Sequence, residues 1–187
     1  MKILLLAPKG FEILEFSALF DVLAWANNLG CDIKVETCGF KKQVPSAFGV
    51  SITVDVLLGD INLDDYDALA ITGGFEEDGY YEDVYNENFL DIIRVFHSKN
   101  KIIASICTGA LPLGKSGILT GKNATTYWRR QEELARFGVN ILSEQIVMDG
   151  NVITSGCPGS AIPVAFKFLE VLTDSDKMND VKSAMGF

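Results

Sequence analysis

The strongest signal for the fold of this 187-residue chain is the segment Ile102-Ile103-Ala104-Ser105-Ile106-Cys107-Thr108-Gly109-Ala110. It predicts a short buried strand that ends at Cys107, followed directly by the start of a helix. Residues 105–109 have the spacing of a nucleophile elbow, G-x-S-x-G, with cysteine as the nucleophile and serine in place of the first glycine. A free cysteine is most often a small buried apolar residue. The strand–cysteine–helix context nevertheless favours a functional thiol at Cys107, and the helix N-terminus behind it favours the thiolate.

Short apolar runs alternate with amphipathic segments along the rest of the chain, which is typical of a parallel α/β sheet. Strands are predicted at 2–7, 32–38, 50–56, 67–72, 101–106 and 124–127, and a hairpin at 146–148 and 152–155. Helices are predicted at 14–29, 87–98, 111–116, 130–137 and 160–172, with one short helical turn in the polar tail. The sequence contains no linker, repeat or low-complexity segment, so we expect a single domain over residues 1–187.

Composition and charge exclude several classes of partner. The chain has 16 basic and 25 acidic residues, a net charge of −9, and no cluster of Lys and Arg. Nucleic acid and anionic membrane surfaces are therefore not expected partners. The first ten residues resemble a signal peptide only superficially, because the apolar run is short and ends at Pro-Lys-Gly. No stretch is long enough to span a bilayer, and a cytoplasmic location is expected.

The cysteines and the histidine limit the metal chemistry. Cys31, Cys38, Cys107 and Cys157 show neither a C-x-x-C motif nor zinc-ligand spacing. We interpret them as free thiols in a reducing compartment. His97 is the only histidine, so no multi-histidine metal site is expected within the chain, and no cofactor is predicted.

Three loops should meet at the carboxyl edge of the sheet, where open α/β sheets bind ligands. They are residues 8–15, the Gly73-Gly74 turn, and the Cys107 elbow. Glycines after a strand let the backbone approach a ligand closely. The N–H groups of Gly74 and Thr108 are therefore predicted to form an oxyanion hole, although a Gly-Gly pair is also typical of a plain tight turn.

Two carboxylates in the first loop are candidates for the acid partner of the thiol. Glu12 and Glu15 lie three residues apart at a helix start, where either one could instead cap the helix. An ionised carboxylate beside the sulfur would raise the thiol pKa, whereas a protonated one would donate a hydrogen bond and favour thiolate. The residues alone leave the choice between Glu12 and Glu15 open.

His97 is predicted to lie far from Cys107. It stands at the C-terminal end of the helix that leads into strand 101–106, and that strand separates the two edges of the sheet by about 20 Å. We therefore expect a solvated helix-terminal histidine that is not the base of a catalytic triad. The acidic, tyrosine-rich segment 76–85 is interpreted as a solvated loop or as a lid. Cys157 follows a strand and is either a packed thiol or a residue that approaches the site.

These residues, in this order, resemble the DJ-1/PfpI superfamily, whose core is similar to that of class I glutamine amidotransferases. The resemblance rests on segments 9–15, 71–74, 104–110, 124–126 and 154–159, and it covers essentially the whole chain. It implies an α/β fold, a flavodoxin-like, doubly wound, mostly parallel sheet sandwiched by helices, and a homodimer. It also implies Cys107 as the reactive thiol, Glu15 rather than Glu12 as its protonated partner, and Gly74 and Thr108 as amide donors. The chain is most similar to the DJ-1-like branch with a Cys/Glu pair.

The chain departs from this pattern at Tyr127, where many members place a histidine near the cysteine. A neutral phenol is a poor general base near pH 7, because its pKa is about 10. This argues against peptidase chemistry and weakens the glyoxalase case. Tyr127, Gly73 and Cys157 are retained as residues expected near the pocket.

Two hypotheses follow for the function. In the first, Cys107 and Glu15 act on small reactive carbonyls, as in the glyoxalases and deglycases that the resemblance implies, without metal or nicotinamide. In the second, the protein is a redox sensor or stress-protective protein whose Cys107 is oxidised by peroxide. A third interpretation, a binding domain with a vestigial cysteine, is distinguished from both by thiol reactivity.

Overall fold

A seven-stranded sheet forms the centre of the molecule, and it is described here from a computed structural model of residues 1–187. Its strands are β1 (Lys2–Leu6), β2 (Lys34–Gly39), β5 (Val56–Leu57), β6 (Ala68–Ile71), β7 (Ile102–Ile106), β10 (Ile146–Asp149) and β11 (Val152–Ser155). Two small ladders lie outside it, β3 (Gln43–Pro45) with β4 (Ser51–Thr53), and β8 (Asn123–Ala124) with β9 (Asn140–Ile141).

Seven helices accompany the sheet. They are α1 (Ile13–Asn28), α2 (Tyr80–Val84), α3 (Glu87–Ser98), α4 (Ala110–Lys115), α5 (Gln131–Ala135), α6 (Ala161–Leu172) and α7 (Ser175–Ala184). None of them is both long and apolar enough to cross a membrane.

The strand order is β10-β11-β7-β6-β1-β2-β5, and every pair is parallel except the β10–β11 hairpin. The side chains of β1 alternate between the two faces, as a buried parallel strand requires. Ile3 and Leu5 pack in a core with α1 and α6, whereas Leu4 and Leu6 pack in a second core with α3 and α4. The predicted α/β architecture, a mostly parallel sheet between two layers of helices, is therefore confirmed.

The central strands position the functional loops. β1 pairs with β6, and β6 pairs with β7, all in parallel register. The three loops that follow these strands consequently emerge at one edge of the sheet. They lead to Glu15 in the first turn of α1, to Gly73 and to Cys107.

The predicted strand at 50–56 is wrong, because the chain turns within it. β4 ends at Thr53 and pairs with β3, whereas β5 begins at Val56 at the edge of the main sheet. Between them, the Asp55 carboxylate accepts hydrogen bonds from the N–H and hydroxyl of Thr37, at 2.8 and 2.7 Å. These side-chain bonds redirect the backbone, and the hydrophobic pattern does not encode them.

Three other segments differ from their predicted form. The strand expected at 124–127 is reduced to the two residues of β8, because the Thr125 N–H donates to the Thr154 hydroxyl oxygen of β11 and the Thr126 hydroxyl donates to the Cys107 carbonyl oxygen, and neither bond belongs to a strand ladder. The helix expected at 130–137 is limited to the five residues of α5. The tail forms the ten-residue α7 rather than one turn, since the Asp174 carboxylate caps it at the Lys177 N–H and Val181 is buried.

Candidate active site

The Cys107 elbow is a strained turn, and the backbone at its end and the loop after β6 pass close to each other at two glycines, Gly109 and Gly73. Cys107 has φ of 55°, a left-handed conformation that few side-chain-bearing residues adopt. At Gly109, an added Cβ would lie 2.9 Å from the Thr72 carbonyl oxygen, so only glycine lets the new helix pass behind β6. The Thr126 hydroxyl donates to the Cys107 carbonyl oxygen at 2.7 Å and fixes the turn from the other side. This geometry has the form of the predicted nucleophile elbow.

Gly73, in the loop after β6, also lies very close to the elbow. An added Cβ there would lie 2.9 Å from the Thr108 nitrogen and 3.0 Å from Cys107 Cβ. Because any side chain at this position would collide with the elbow, Gly73 keeps the β6 loop and the thiol in direct contact. Gly73 does not line the cavity described below.

Glu15 lies in the first turn of α1 and is fully buried. Its Oε2 accepts a 2.6 Å hydrogen bond from the Gly73 N–H, while its Oε1 is buried without a hydrogen-bond partner. The Cys107 side chain interacts with this carboxyl group. Glu12 has a different role, because its carboxylate caps α1 by accepting from the Glu15 N–H at 2.8 Å. Of the two candidate carboxyls, Glu15 is therefore the one that contacts the thiol.

Burial controls the protonation of Glu15. Removal from water raises the pKa of this carboxyl from its ordinary value of 4.5 to about 8, and the neighbouring Glu12 charge adds to the increase. The hydrogen bond from Gly73 opposes the shift but does not cancel it. At neutral pH, Glu15 is thus mainly protonated and can donate a hydrogen bond, and it titrates together with Cys107 as a pair.

The thiol itself does not have the lowered pKa expected from a helix N-terminus. Burial raises the pKa of Cys107 above its ordinary value, and a charge on Glu15 raises it further. The Thr108 N–H is directed at the sulfur and lowers the pKa, as the elbow motif predicts, but its effect is the smaller one. The expectation of a dipole-stabilised thiolate is therefore wrong for the free protein, because desolvation outweighs the dipole.

The predicted oxyanion donors have different partners. The Gly74 N–H donates to the Thr108 hydroxyl oxygen at 2.9 Å, and that hydroxyl donates to the Gly74 carbonyl oxygen at 3.1 Å. An oxyanion at Cys107 would have to replace Thr108 Oγ1 as the acceptor for Gly74, whereas the Thr108 N–H already faces the sulfur. These two bonds join the loop after β6 to the elbow.

A cavity of about 350 Å³ opens onto the thiol. Its lining combines aromatic, acidic and basic side chains with the backbone of the two loops: Glu12, Gly74, Phe75, Glu76, Glu77, Tyr81, Cys107, Thr108, Tyr127, Arg129, Arg130 and Pro158. Tyr127 lines the cavity, as expected for the residue in place of the usual histidine. Cys157 does not line it, but its neighbour Pro158 does.

The two arginines were not identified from the sequence, and Tyr81 was considered only as part of segment 76–85, which was weighed as a lid. Arg130 bonds to Glu76 at 2.6 Å and to Glu133 at 3.1 Å, and it lies over the Tyr81 ring. Arg129 stacks on the exposed Trp128. A sequence signal existed for the arginines, since they stand two and three residues after Tyr127 at the predicted ligand-binding edge. Tyr81 belongs to segment 76–85, which forms a short turn and α2 beside the cavity instead of a solvated loop.

His97 lies in the last turn of α3, at the edge of the sheet opposite to Cys107, as predicted. It is half-buried, and its Nδ1 is buried without a hydrogen-bond partner, so it is less solvated than expected. No group of three or more His, Cys, Asp or Glu side chains is arranged to hold a metal ion.

Comparisons with known proteins agree with this geometry. The model of the DJ-1/PfpI family matches residues 1–171. An uncharacterised protein of Methanocaldococcus jannaschii is 34% identical, over 95% of this chain and 83% of its own length. Deglycase PfpI of Pyrococcus furiosus is 29% identical over 92% of this chain and 99% of its own. The crystal structure of Drosophila melanogaster DJ-1beta superposes with a TM-score of 0.89 at 28% identity, covering 98% of this chain and 96% of that one. With an elbow cysteine, a mostly parallel sheet and a family match over most of its length, this chain belongs to the DJ-1/PfpI family.

Proposed function

We propose that this protein is a cofactor-free enzyme that acts on small reactive carbonyls through Cys107, with Glu15 as the group that carries the proton. The observation that carries the proposal is the fully buried Glu15 carboxyl beside the thiol of Cys107, which lines the cavity; burial raises the pKa of this carboxyl to about 8 and so favours its protonated form. The name of the Pyrococcus furiosus relative, a deglycase, supports the same substrate class.

The proposed reaction with methylglyoxal has three steps: addition of the thiol, transfer of a hydrogen, and hydrolysis. The Cys107 sulfur adds to the aldehyde carbon, and its proton passes to the carbonyl oxygen, which gives a hemithioacetal. Transfer of the hydrogen from the former aldehyde carbon to the ketone carbon, with proton exchange at Glu15, yields a lactoyl thioester. Water hydrolyses this thioester to lactate and releases the thiol. One substrate carbon is oxidised and the other is reduced, so the net reaction consumes only water.

Glu15 is suited to such proton exchange. Its pKa of about 8 lies near the working pH, so both its acid and its carboxylate forms are accessible. The Gly73 N–H holds Oε2, which leaves Oε1 free to exchange a proton with the sulfur or the substrate. The Thr108 N–H, with Gly74 after its bond to Thr108 Oγ1 opens, is proposed to stabilise the oxyanion.

The test is lactate formation from methylglyoxal by wild type, Cys107→Ser and Glu15→Gln. We expect turnover in wild type, no turnover above background in Cys107→Ser, and a decrease of at least about 100-fold in kcat for Glu15→Gln. Cys31→Ser is the matched control, because Cys31 lies between α1 and β2, outside the cavity, and this variant should retain wild-type turnover. Equal lactate formation by wild type and Cys107→Ser would disprove the proposal.

A second candidate function is a redox sensor based on Cys107. The observation that favours it is Tyr127, since this phenol lines the cavity where the usual imidazole base would stand. Peroxide would then oxidise Cys107 to sulfenic and sulfinic acid, with protonated Glu15 as a hydrogen-bond donor to the product. Peroxide sensitivity of Cys107 without carbonyl turnover would support this function over the first.

A homodimer and a cytoplasmic location are part of the proposal. Several large apolar side chains on the surface, among them Leu14, Phe48 and Trp128, support a dimer, and four free thiols support a reducing compartment. Light scattering on the purified protein tests the dimer: a mass near 41 kDa, twice the 20.4 kDa of the chain, is expected.

A further inference from the structure

Cys107 and Cys157 leave neighbouring strands at the same edge of the sheet. β11 and β7 are parallel, with Ser155 opposite Ile106. Cys107 stands one residue beyond this pairing and Cys157 two residues beyond it, and the chain bends at Gly156 and Cys157. Adjacent strands lie about 4.8 Å apart, so the two cysteines leave the sheet as near neighbours. A disulfide requires roughly 4.4–6.8 Å between the two Cα atoms, a span comparable to this strand spacing.

The two thiols also lie beside the same cavity. Cys107 is one of the residues that line it. Cys157 is half-buried, and the next residue, Pro158, lines the Cys107 cavity. A charge on Cys157 raises the pKa of Cys107, which is consistent with this proximity.

The backbone of Cys157 is held in place by Ser160. The Ser160 hydroxyl accepts from the Cys157 N–H at 3.3 Å and donates to the Cys157 carbonyl oxygen at 2.6 Å. The Cys157 sulfur lies near Gly159, 3.7 Å from the position that a Cβ would take there. With the backbone fixed, rotation of the side chain is the motion that brings this sulfur toward Cys107.

The other two cysteines cannot perform this role. Cys38 is in β2, and in the sheet β6 and β1 separate β2 from β7. Three strand spacings amount to about 14 Å, well beyond the span of a disulfide. Cys38 is also fully buried, and burial raises its pKa to about 12. Cys31 lies just before β2, so β1 and β6 separate it from β7 as they separate Cys38.

We infer that Cys157 is a resolving cysteine, which closes an intramolecular disulfide with Cys107 after a hydroperoxide has oxidised Cys107. The Cys107 sulfur attacks the peroxide, the O–O bond breaks, and Cys107 sulfenic acid forms with release of water or an alcohol. The Cys157 sulfur then attacks the Cys107 sulfur and displaces the hydroxyl, which leaves with the Cys157 proton as water. The two thiols lose two electrons in total, the peroxide gains them, and a dithiol reductant restores the free pair.

The disulfide would stop oxidation before sulfinic acid. Sulfinic acid forms only if a second peroxide reaches the sulfenic acid before Cys157 does. The inference rests on the proposed function only in that Cys107 must be nucleophilic. It adds a reversible protected state of the same thiol, in which carbonyl chemistry is switched off.

The experiment treats the full-length, reduced protein with hydrogen peroxide and examines a non-reducing tryptic digest by mass spectrometry. Wild type should show peptides 102–115 and 137–167 joined, with a loss of two hydrogens that dithiothreitol reverses. Cys157→Ser and Cys157→Ala should show no such link, and Cys107 sulfinic acid should rise about tenfold over wild type at equal peroxide. Cys31→Ser is the control and should behave as wild type.

Two results would overturn the inference in different ways. If wild type shows no link between the two peptides, and sulfinic acid is equal in wild type and Cys157→Ser, Cys157 does not resolve Cys107 and the proposed function is unaffected. If Cys107 remains unoxidised in all variants and also resists iodoacetamide, Cys107 is not nucleophilic, and both the inference and the proposed function fail. Methylglyoxal turnover by the reduced protein separates these two cases independently.

Discussion

Replacing Glu15 by glutamine should remove a large part of the pH dependence of folding stability. In the native protein, burial raises the pKa of Glu15 from 4.5 to about 8. Between these two values the native state keeps a proton that the unfolded chain releases, so stability falls as the pH rises through this window. Below pH 4.5 both states are protonated and the effect is absent.

The magnitude follows from the size of this shift. One pKa unit corresponds to about 1.4 kcal/mol, so wild type should lose about 3 to 4 kcal/mol from this group between pH 5 and pH 8. Glutamine is close in shape, cannot ionise, and can still accept from the Gly73 N–H. The stability of Glu15→Gln relative to wild type should therefore increase by about that amount over the same interval.

The assay is urea unfolding of wild type and Glu15→Gln at pH 5, 6, 7 and 8. Because all other titrating groups are shared, the difference between the two proteins at each pH isolates Glu15. Glu12→Gln is a useful control, since it retains the buried Glu15 and should therefore retain most of the pH dependence. A difference that stays constant within about 1 kcal/mol, or that decreases with pH, would refute the assignment of Glu15 as a buried acid.

Three further predictions concern the surroundings of the thiol. Gly73→Ala should cost about 1–3 kcal/mol in urea unfolding and slow alkylation of Cys107, because the added Cβ meets the Thr108 nitrogen at 2.9 Å; unchanged alkylation would contradict the close approach. Thr126→Val should cost about 1–2 kcal/mol in the same unfolding assay, since it removes the 2.7 Å hydrogen bond to the Cys107 carbonyl oxygen; equal stability would show that this bond does not hold the elbow. His97→Gln should leave methylglyoxal turnover within about twofold of wild type, and a tenfold loss would show that the distant histidine does act in catalysis.

Features that depend on residues close together in the sequence were predicted, and features that depend on contacts between distant residues were not. The strand ending at Cys107, α1 and the β10–β11 hairpin were predicted well, because apolar periodicity, small residues and an Asp-Gly turn encode them locally. The turn inside residues 50–56 was not predicted, because it depends on the contact of Asp55 with Thr37 in β2. The lining of the cavity by Arg129 and Tyr81 likewise depends on how distant segments meet.

Spacing along the chain was sufficient to predict the elbow, the alternation of the central strands with their helices, and the two carboxyls that compete for the thiol. The residues alone left the choice between Glu12 and Glu15 open, the family resemblance implied Glu15, and the three-dimensional arrangement shows why. Both stand at the start of α1, but Gly73 from a distant strand receives the Glu15 carboxyl, while Glu12 caps the helix. The tertiary structure also decided the protonation of the site. A helix N-terminus favours thiolate from sequence alone, yet burial outweighs it and leaves the proton on the pair, because desolvation depends on everything packed around a charge.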